Sequence, residues 1–83
     1  MIYRVKIEVS LKLGHTDPEG NTTQRLLTEL GYTVTAVNVS KTYQIQIQTA
    51  NLSDAKAKAE EMAKRLLANP TKDNYTITVE EQK

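Results

Sequence analysis

Apolar side chains occupy every second position from Tyr3 to Leu13 (Tyr3, Val5, Ile7, Val9, Leu11, Leu13), with Arg4, Lys6, Glu8, Ser10 and Lys12 between them. A period of two puts the apolar set on one face of an extended chain, so the run predicts a half-buried strand. Asp17 followed by Pro18 then marks a helix start. The carboxylate is placed to accept from the free amides of the first turn, and proline costs nothing at a position whose N–H has no helical partner. This helix is predicted to run to about Leu30, with a narrow apolar stripe of Leu26, Leu27 and Leu30. Gly31 supplies the left-handed residue that ends it.

Two further strands are predicted, Thr33 to Val39 and Tyr43 to Thr49, joined by a hairpin connection at Ser40, Lys41 and Thr42. The second alternates Tyr43, Ile45 and Ile47 with Gln44, Gln46 and Gln48. The first has a conflict of phase, since Val37 and Val39 share one face while Val34 and Ala36 take the other, and a bulge or a late start is expected there. Ser53 is the predicted cap of a second helix, in which Ala55, Ala59, Met62, Ala63, Leu66 and Leu67 recur at helical spacing. Glu60 with Lys64, and Glu61 with Arg65, form i,i+4 pairs on its wet side, worth about 0.2 to 0.5 kcal/mol each. Asn69 precedes Pro70 and is pushed out of the α region, which stops the helix. Tyr75, Ile77 and Val79 make the last strand, before a polar end at Glu80 to Lys83.

The predicted order is β-α-β-β-α-β, a single α+β domain over residues 1–83. It is expected to form a two-layer sandwich with both helices on one face of an antiparallel sheet. A chain of 83 residues with 39% hydrophobic content and no cysteine buries only about 60 to 65% of its unfolded surface and has no covalent staple. Oligomerisation is a natural way to complete such a core.

Eleven Lys and Arg against ten Asp and Glu leave a net charge of +1, with the signs interspersed, so no footprint for nucleic acid or an anionic membrane is expected. The same β-α-β-β-α-β order occurs in RNA-binding domains, which stack bases on outward aromatics. Here Tyr3, Tyr43 and Tyr75 fall in phase with the core residues instead. The charged alternation of the first residues is neither a signal peptide nor a membrane span, so a cytoplasmic protein is expected. On that basis the Asn-x-Ser/Thr sequons at Asn21, Asn38, Asn51 and Asn74 are read as accidents of composition.

Chemistry is sparse. One His, no Cys and no Ser in a strand-turn-helix elbow leave no triad to assemble. His15 beside Asp17 suggests an acid with its orienter, but Asp17 already serves as a cap, and a solvated loop histidine is the simpler reading. Asp17 with Glu19, and Glu60 with Glu61, diverge on a helix and lack a third hard ligand. Gly14, Gly20 and Gly31 do not form a phosphate loop. No catalytic residue, cofactor site or metal site is assigned.

Leu11-Lys12, Asp17-Pro18-Glu19-Gly20, Leu30-Gly31-Tyr32, Lys41, Leu66-Leu67-Ala68-Asn69-Pro70 and Tyr75 follow one another in an order and spacing that resembles the PurS family over nearly the whole chain. PurS is the small subunit of phosphoribosylformylglycinamidine (FGAM) synthase. Departures are Leu13, where the family commonly has proline, and Ser40-Lys41-Thr42-Tyr43, where it commonly has Gly-Lys and an aliphatic residue.

The resemblance implies a noncatalytic subunit in purine biosynthesis. It implies a homodimer or higher homo-oligomer that joins a PurL-type synthetase subunit, which uses ATP and magnesium, to a PurQ-type glutaminase subunit and helps ammonia pass between them. Lys41, Asn69 and Pro70 are then expected near partner surfaces. The alternative from a different class is a small-molecule-sensing regulatory α+β domain, in which a ligand sits at a dimer interface. A solitary enzyme is a third reading, for which the sequence supplies no catalytic set.

Overall fold

In a computed structural model that describes residues 1–12 and 14–82, the alternating run forms β1, Ile2–Leu11. Leu13 and Lys83, the last residues of the first predicted strand and of the polar end, lie outside the described residues. Strands β2, Ser40–Gln48, and β3, Asp73–Glu81, flank β1 antiparallel in the order β2-β1-β3. The register sets Val5 between Ile45 and Val79, and Ile7 between Tyr43 and Ile77, so all three apolar rows share one face. On that face Tyr3, Val5, Ile7 and Val9 are buried, while the apolar rows of β2 and β3 are half-buried. The opposite face is polar, with Arg4, Lys6 and Glu8 beside Thr42, Gln44 and Gln46 on one flank and Thr76, Thr78 and Glu80 on the other.

Helix α2, Leu52–Met62, covers β1 and β3. Ala55, Ala59 and Ala63 are fully buried, and their small side chains let the helix lie close to the sheet. The cap is Asn51, whose side chain accepts from the Asp54 amide at 2.8 Å, not Ser53 as expected. Asn51 stands three residues before that amide, the spacing that satisfies a free donor of the first turn. The helix continues as a π-helical turn, Ala63–Leu67, closed by a bond from the Ala68 amide to the Ala63 carbonyl at 2.9 Å. A π turn shifts the helical phase. Leu66, expected in the buried stripe, is therefore turned out and is 83% exposed. Beyond Ala68, Asn69 folds the chain back: its side chain accepts from the Thr71 amide, and its carbonyl accepts from the Lys72 and Asp73 amides.

Helix α1, Pro18–Glu29, begins as expected, with Asp17 accepting from the Gly20 amide at 2.9 Å and Pro18 at its start. It ends with the Gly31 amide on the Thr28 carbonyl and the Tyr32 amide on the Leu27 carbonyl, the paired bonds of a Schellman cap, with Gly31 at φ +103°. Its placement differs from expectation. Among the described residues α2 and the π-helical turn that continues it pack on the sheet face, whereas Leu26 and Leu30 of α1 are 49% and 74% exposed.

The molecule measures 51 × 29 × 14 Å. Its length is what a strand of about 33 Å and a helix of about 18 Å span when set end to end. Helix α1 and the return segment 33–39 thus form an arm leaving the end of the sheet where Ser10 pairs with Ser40.

The strand expected at Thr33 to Val39 is not formed, and neither is the hairpin at Ser40–Thr42. Those three residues instead lie in β2, paired with Ser10, Val9 and Glu8. Segment 33–39 is held by side chains of the arm itself: Gln24 donates to the carbonyls of Val34 and Thr35, and Asp17 accepts from the Val39 amide. Gly20 lies so close to the Val37 carbonyl that a Cβ there would sit 2.3 Å from the oxygen. The conflict of phase in the sequence thus belongs to a segment without a ladder partner among the described residues. The observed order is β-α-β-α-β: the α+β class and antiparallel sheet agree with the sequence reading, with one strand fewer.

Candidate functional site

Lys41 and the Asn69–Pro70 corner come together at the arm end of the sheet. Lys41 stands opposite Val9 in β2, and Leu11 pairs with Asp73 just past the corner, so the two lie on opposite flanks of β1. Lys12 fastens the corner in place. Its amide donates to the Lys72 carbonyl at 2.7 Å and its ammonium to the Pro70 carbonyl at 3.0 Å. Between the flanks is a cleft of about 390 Å³, lined among others by Val9, Asp17, Lys41, Leu67, Lys72 and Asp73. Lys41, Asn69 and Pro70 are themselves exposed.

Asp17 closes this end. One carboxylate oxygen accepts from Gly20 and the other from Val39, both at 2.9 Å. These bonds, Gly20 first and Val39 second, hold its carboxyl below the ordinary value of 3.8. With both oxygens occupied, Asp17 is a clasp between the start of the arm and its return, not an orienter for a catalytic His15. His15 is exposed in the loop before α1, where its amide donates to the Lys12 carbonyl.

Among the described residues, nothing at this end brings a nucleophile to a base, and no three His, Asp or Glu side chains are grouped to hold a metal ion. No described helix is long and apolar enough to cross a membrane. The tyrosines of the strands face the helix side, where Tyr75 donates to Glu60 at 2.6 Å with Lys64 at 3.4 Å from the same oxygen. The Tyr75 hydroxyl and then Lys64 lower the Glu60 carboxyl, and the Glu60 carboxylate raises the Tyr75 phenol. The expected Glu61–Arg65 pair is also formed, at 2.9 Å.

A second surface was not anticipated from the sequence. Because α2 lies over β1 and β3 and leaves the apolar row of β2 only half-buried, a groove of about 450 Å³ opens beside it, floored by Ile45 and Ile47, walled by Met62 and Leu67, and edged by Leu66. The sequence signal for it was present in the spacing of Leu66 and Leu67, two adjacent leucines that a single helical stripe does not bury together.

A family model for PurS, described as phosphoribosylformylglycinamidine (FGAM) synthase, matches residues 4–81. The chain is 40% identical over 80 residues to the phosphoribosylformylglycinamidine synthase subunit PurS of Methanocaldococcus jannaschii, covering 95% of this chain and 96% of that one. It superposes on the structure of Thermus thermophilus PurS with a TM-score of 0.89 at 33% identity, over the full length of both chains. A chain in the structure of PurLQS from Thermotoga maritima has the same fold, with a TM-score of 0.86 at 24% identity over 95% of this chain and 98% of that one.

Proposed function

The chain belongs to the PurS family, the small subunit of FGAM synthase in purine biosynthesis, and we propose that within this enzyme it joins the synthetase and glutaminase subunits and supports the passage of ammonia between them. The match over residues 4–81 carries this reading, because it takes in all three strands and both helices together with the arm. The residue inventory agrees with it: a chain whose described residues bring no nucleophile and base together at its candidate site, and which has large exposed surfaces, is suited to assembly more than to chemistry. The name PurLQS of the Thermotoga maritima structure fits a synthetase of PurL type and a glutaminase of PurQ type as partners. In this reading ATP and magnesium act on the synthetase subunit, the complex works in the cytoplasm, and this chain acts as a homodimer or higher homo-oligomer. Lys41 and the Asn69–Pro70 corner, exposed at one end of the sheet, are the residues assigned to partner contact.

The test is amidine synthesis by the cognate synthetase and glutaminase subunits, driven by glutamine or by added ammonia, with and without this chain. The expected result is glutamine-driven turnover only when the chain is added, with ammonia-driven turnover in both cases. If glutamine-driven turnover is the same without the chain, the bridging role is lost.

A further inference from the structure

We propose that the Asn69–Pro70 corner and the cleft beside it receive an acidic side chain of a partner subunit, and that Lys12 is the cation that meets it. The proposal deepens the partner contact assigned above to this corner and rests on it, by naming the chemistry of that contact.

The first observation is the charge of Lys12. The residue is half-buried, and among the described residues its ammonium makes one hydrogen bond, to the neutral Pro70 carbonyl at 3.0 Å. The ion pairs among those residues are Arg25–Glu29, Glu60–Lys64 and Glu61–Arg65, each between positions four apart on a helical segment. Lys12 has no carboxylate partner among them. An ammonium carries three donors, so two remain for an acceptor from outside. A cation partly withdrawn from water also gains more from a carboxylate than an exposed one does.

The second observation is the cleft, of about 580 Å³, lined by Lys12, Lys64, Pro70, Asp73, Asn74 and Tyr75. It lies on the β3 flank of the sheet, where β3, like β2 on the other side, pairs only with β1 and has an open outer edge. The acids nearby are engaged. Asp73 accepts from the Asn69 amide at 2.8 Å, and Glu60 takes the Tyr75 hydroxyl and Lys64 on one oxygen. The charge left without a counter-charge is that of Lys12, and Pro70 and Tyr75 supply apolar surface for the carbon stem of an Asp or Glu. One such cation suits a single carboxylate and is too little for a nucleic-acid backbone.

The third observation is that the seat is already built. The Asn69 side chain accepts from the Thr71 amide at 2.9 Å, and its carbonyl accepts from the Lys72 and Asp73 amides. Lys12 ties this corner to the end of β1 through both its amide and its ammonium, and proline fixes a further backbone dihedral. Groups ordered before a partner arrives have less freedom to lose on binding.

The complex of this chain with its cognate synthetase and glutaminase subunits is treated with a carbodiimide, which joins an amine to a carboxylate in contact with it. The joined peptides are read by mass spectrometry. Lys12 joined to an Asp or Glu of the synthetase or the glutaminase is expected. Lys12 joined only within this chain, joined only to a second copy of it, or not joined at all overturns the proposal. As a second measurement, Lys12→Met keeps the length of the side chain and the backbone bond but removes the charge. The concentration of the chain that half-saturates glutamine-driven synthesis is expected to rise about tenfold or more and to respond less to added salt than that of the parent. Lys12→Arg is expected to restore it, with sedimentation of the free chain unchanged in both variants. An unchanged half-saturating concentration, or a rise that Lys12→Arg does not reverse, overturns the proposal. If Lys12 is joined to a partner acid while glutamine-driven synthesis proceeds equally without the chain, the contact stands and the bridging role falls.

Discussion

At the scale of single residues, Asp17 carries the most consequence. Its carboxylate binds the first turn of α1 and the end of segment 33–39 at once. Because those two amides lower its pKa, the folded chain takes up the proton less readily than the unfolded one. The stability this contributes is complete above the ordinary carboxylate value and is lost as pH falls through the lower folded value. Glu60, lowered by Tyr75, acts in the same direction. Asp17→Asn, which keeps an accepting oxygen and does not titrate, is expected to show a shallower loss of stability between about pH 4 and pH 2 when denaturant unfolding is followed across that range. A slope equal to that of the parent would remove the clasp from the account. The capping half of this role was legible in Asp17-Pro18. The bond to Val39 was not, since nothing in a local pattern tells which residue 22 positions later returns to a carboxylate.

At the scale of elements, what the sequence determined well was whatever depends on near neighbours. The alternation in β1, the stops at Gly31 and Pro70 and the i,i+4 pairs of α2 are all local, and all are found. Misreadings arose where two local signals compete or where a partner is remote. Asn51 and Ser53 both suit a helix start, and the choice falls to the one whose side chain reaches the Asp54 amide. Asn51→Ala is therefore expected to destabilise the fold by about 1 kcal/mol, while Ser53→Ala stays within about 0.5 kcal/mol, as read from urea midpoints. Equal effects would contradict the assignment. Segment 33–39 has a strand's composition without a ladder, because its pairing is not decided by its own residues. Of the candidate site, Lys41 and the Asn69–Pro70 corner were legible as element ends, but their shared place at one end of the sheet follows from the β1 register. The groove beside α2 depends on the π turn and on an α1 that leaves the sheet, and neither is written in periodicity.

For the whole molecule, a buried core centred on β1 and half-buried rows on both flanks leave apolar surface that the protomer does not cover. If a second copy covers it, unfolding is coupled to dissociation, and the thermal midpoint rises with protein concentration. A calorimetric series over a hundredfold dilution is expected to show that rise, and a constant midpoint would mark a self-sufficient protomer. The open edge of β2 has a further consequence, for production in the cell. From Thr42 to Gln48 the strand has no charge, no proline and no glycine, with glutamines alternating against isoleucines, a composition suited to stacking copy upon copy without limit. Chains made in excess of what covers that edge are candidates for filament growth. Balanced synthesis of the subunits thus becomes a condition for keeping this one dispersed.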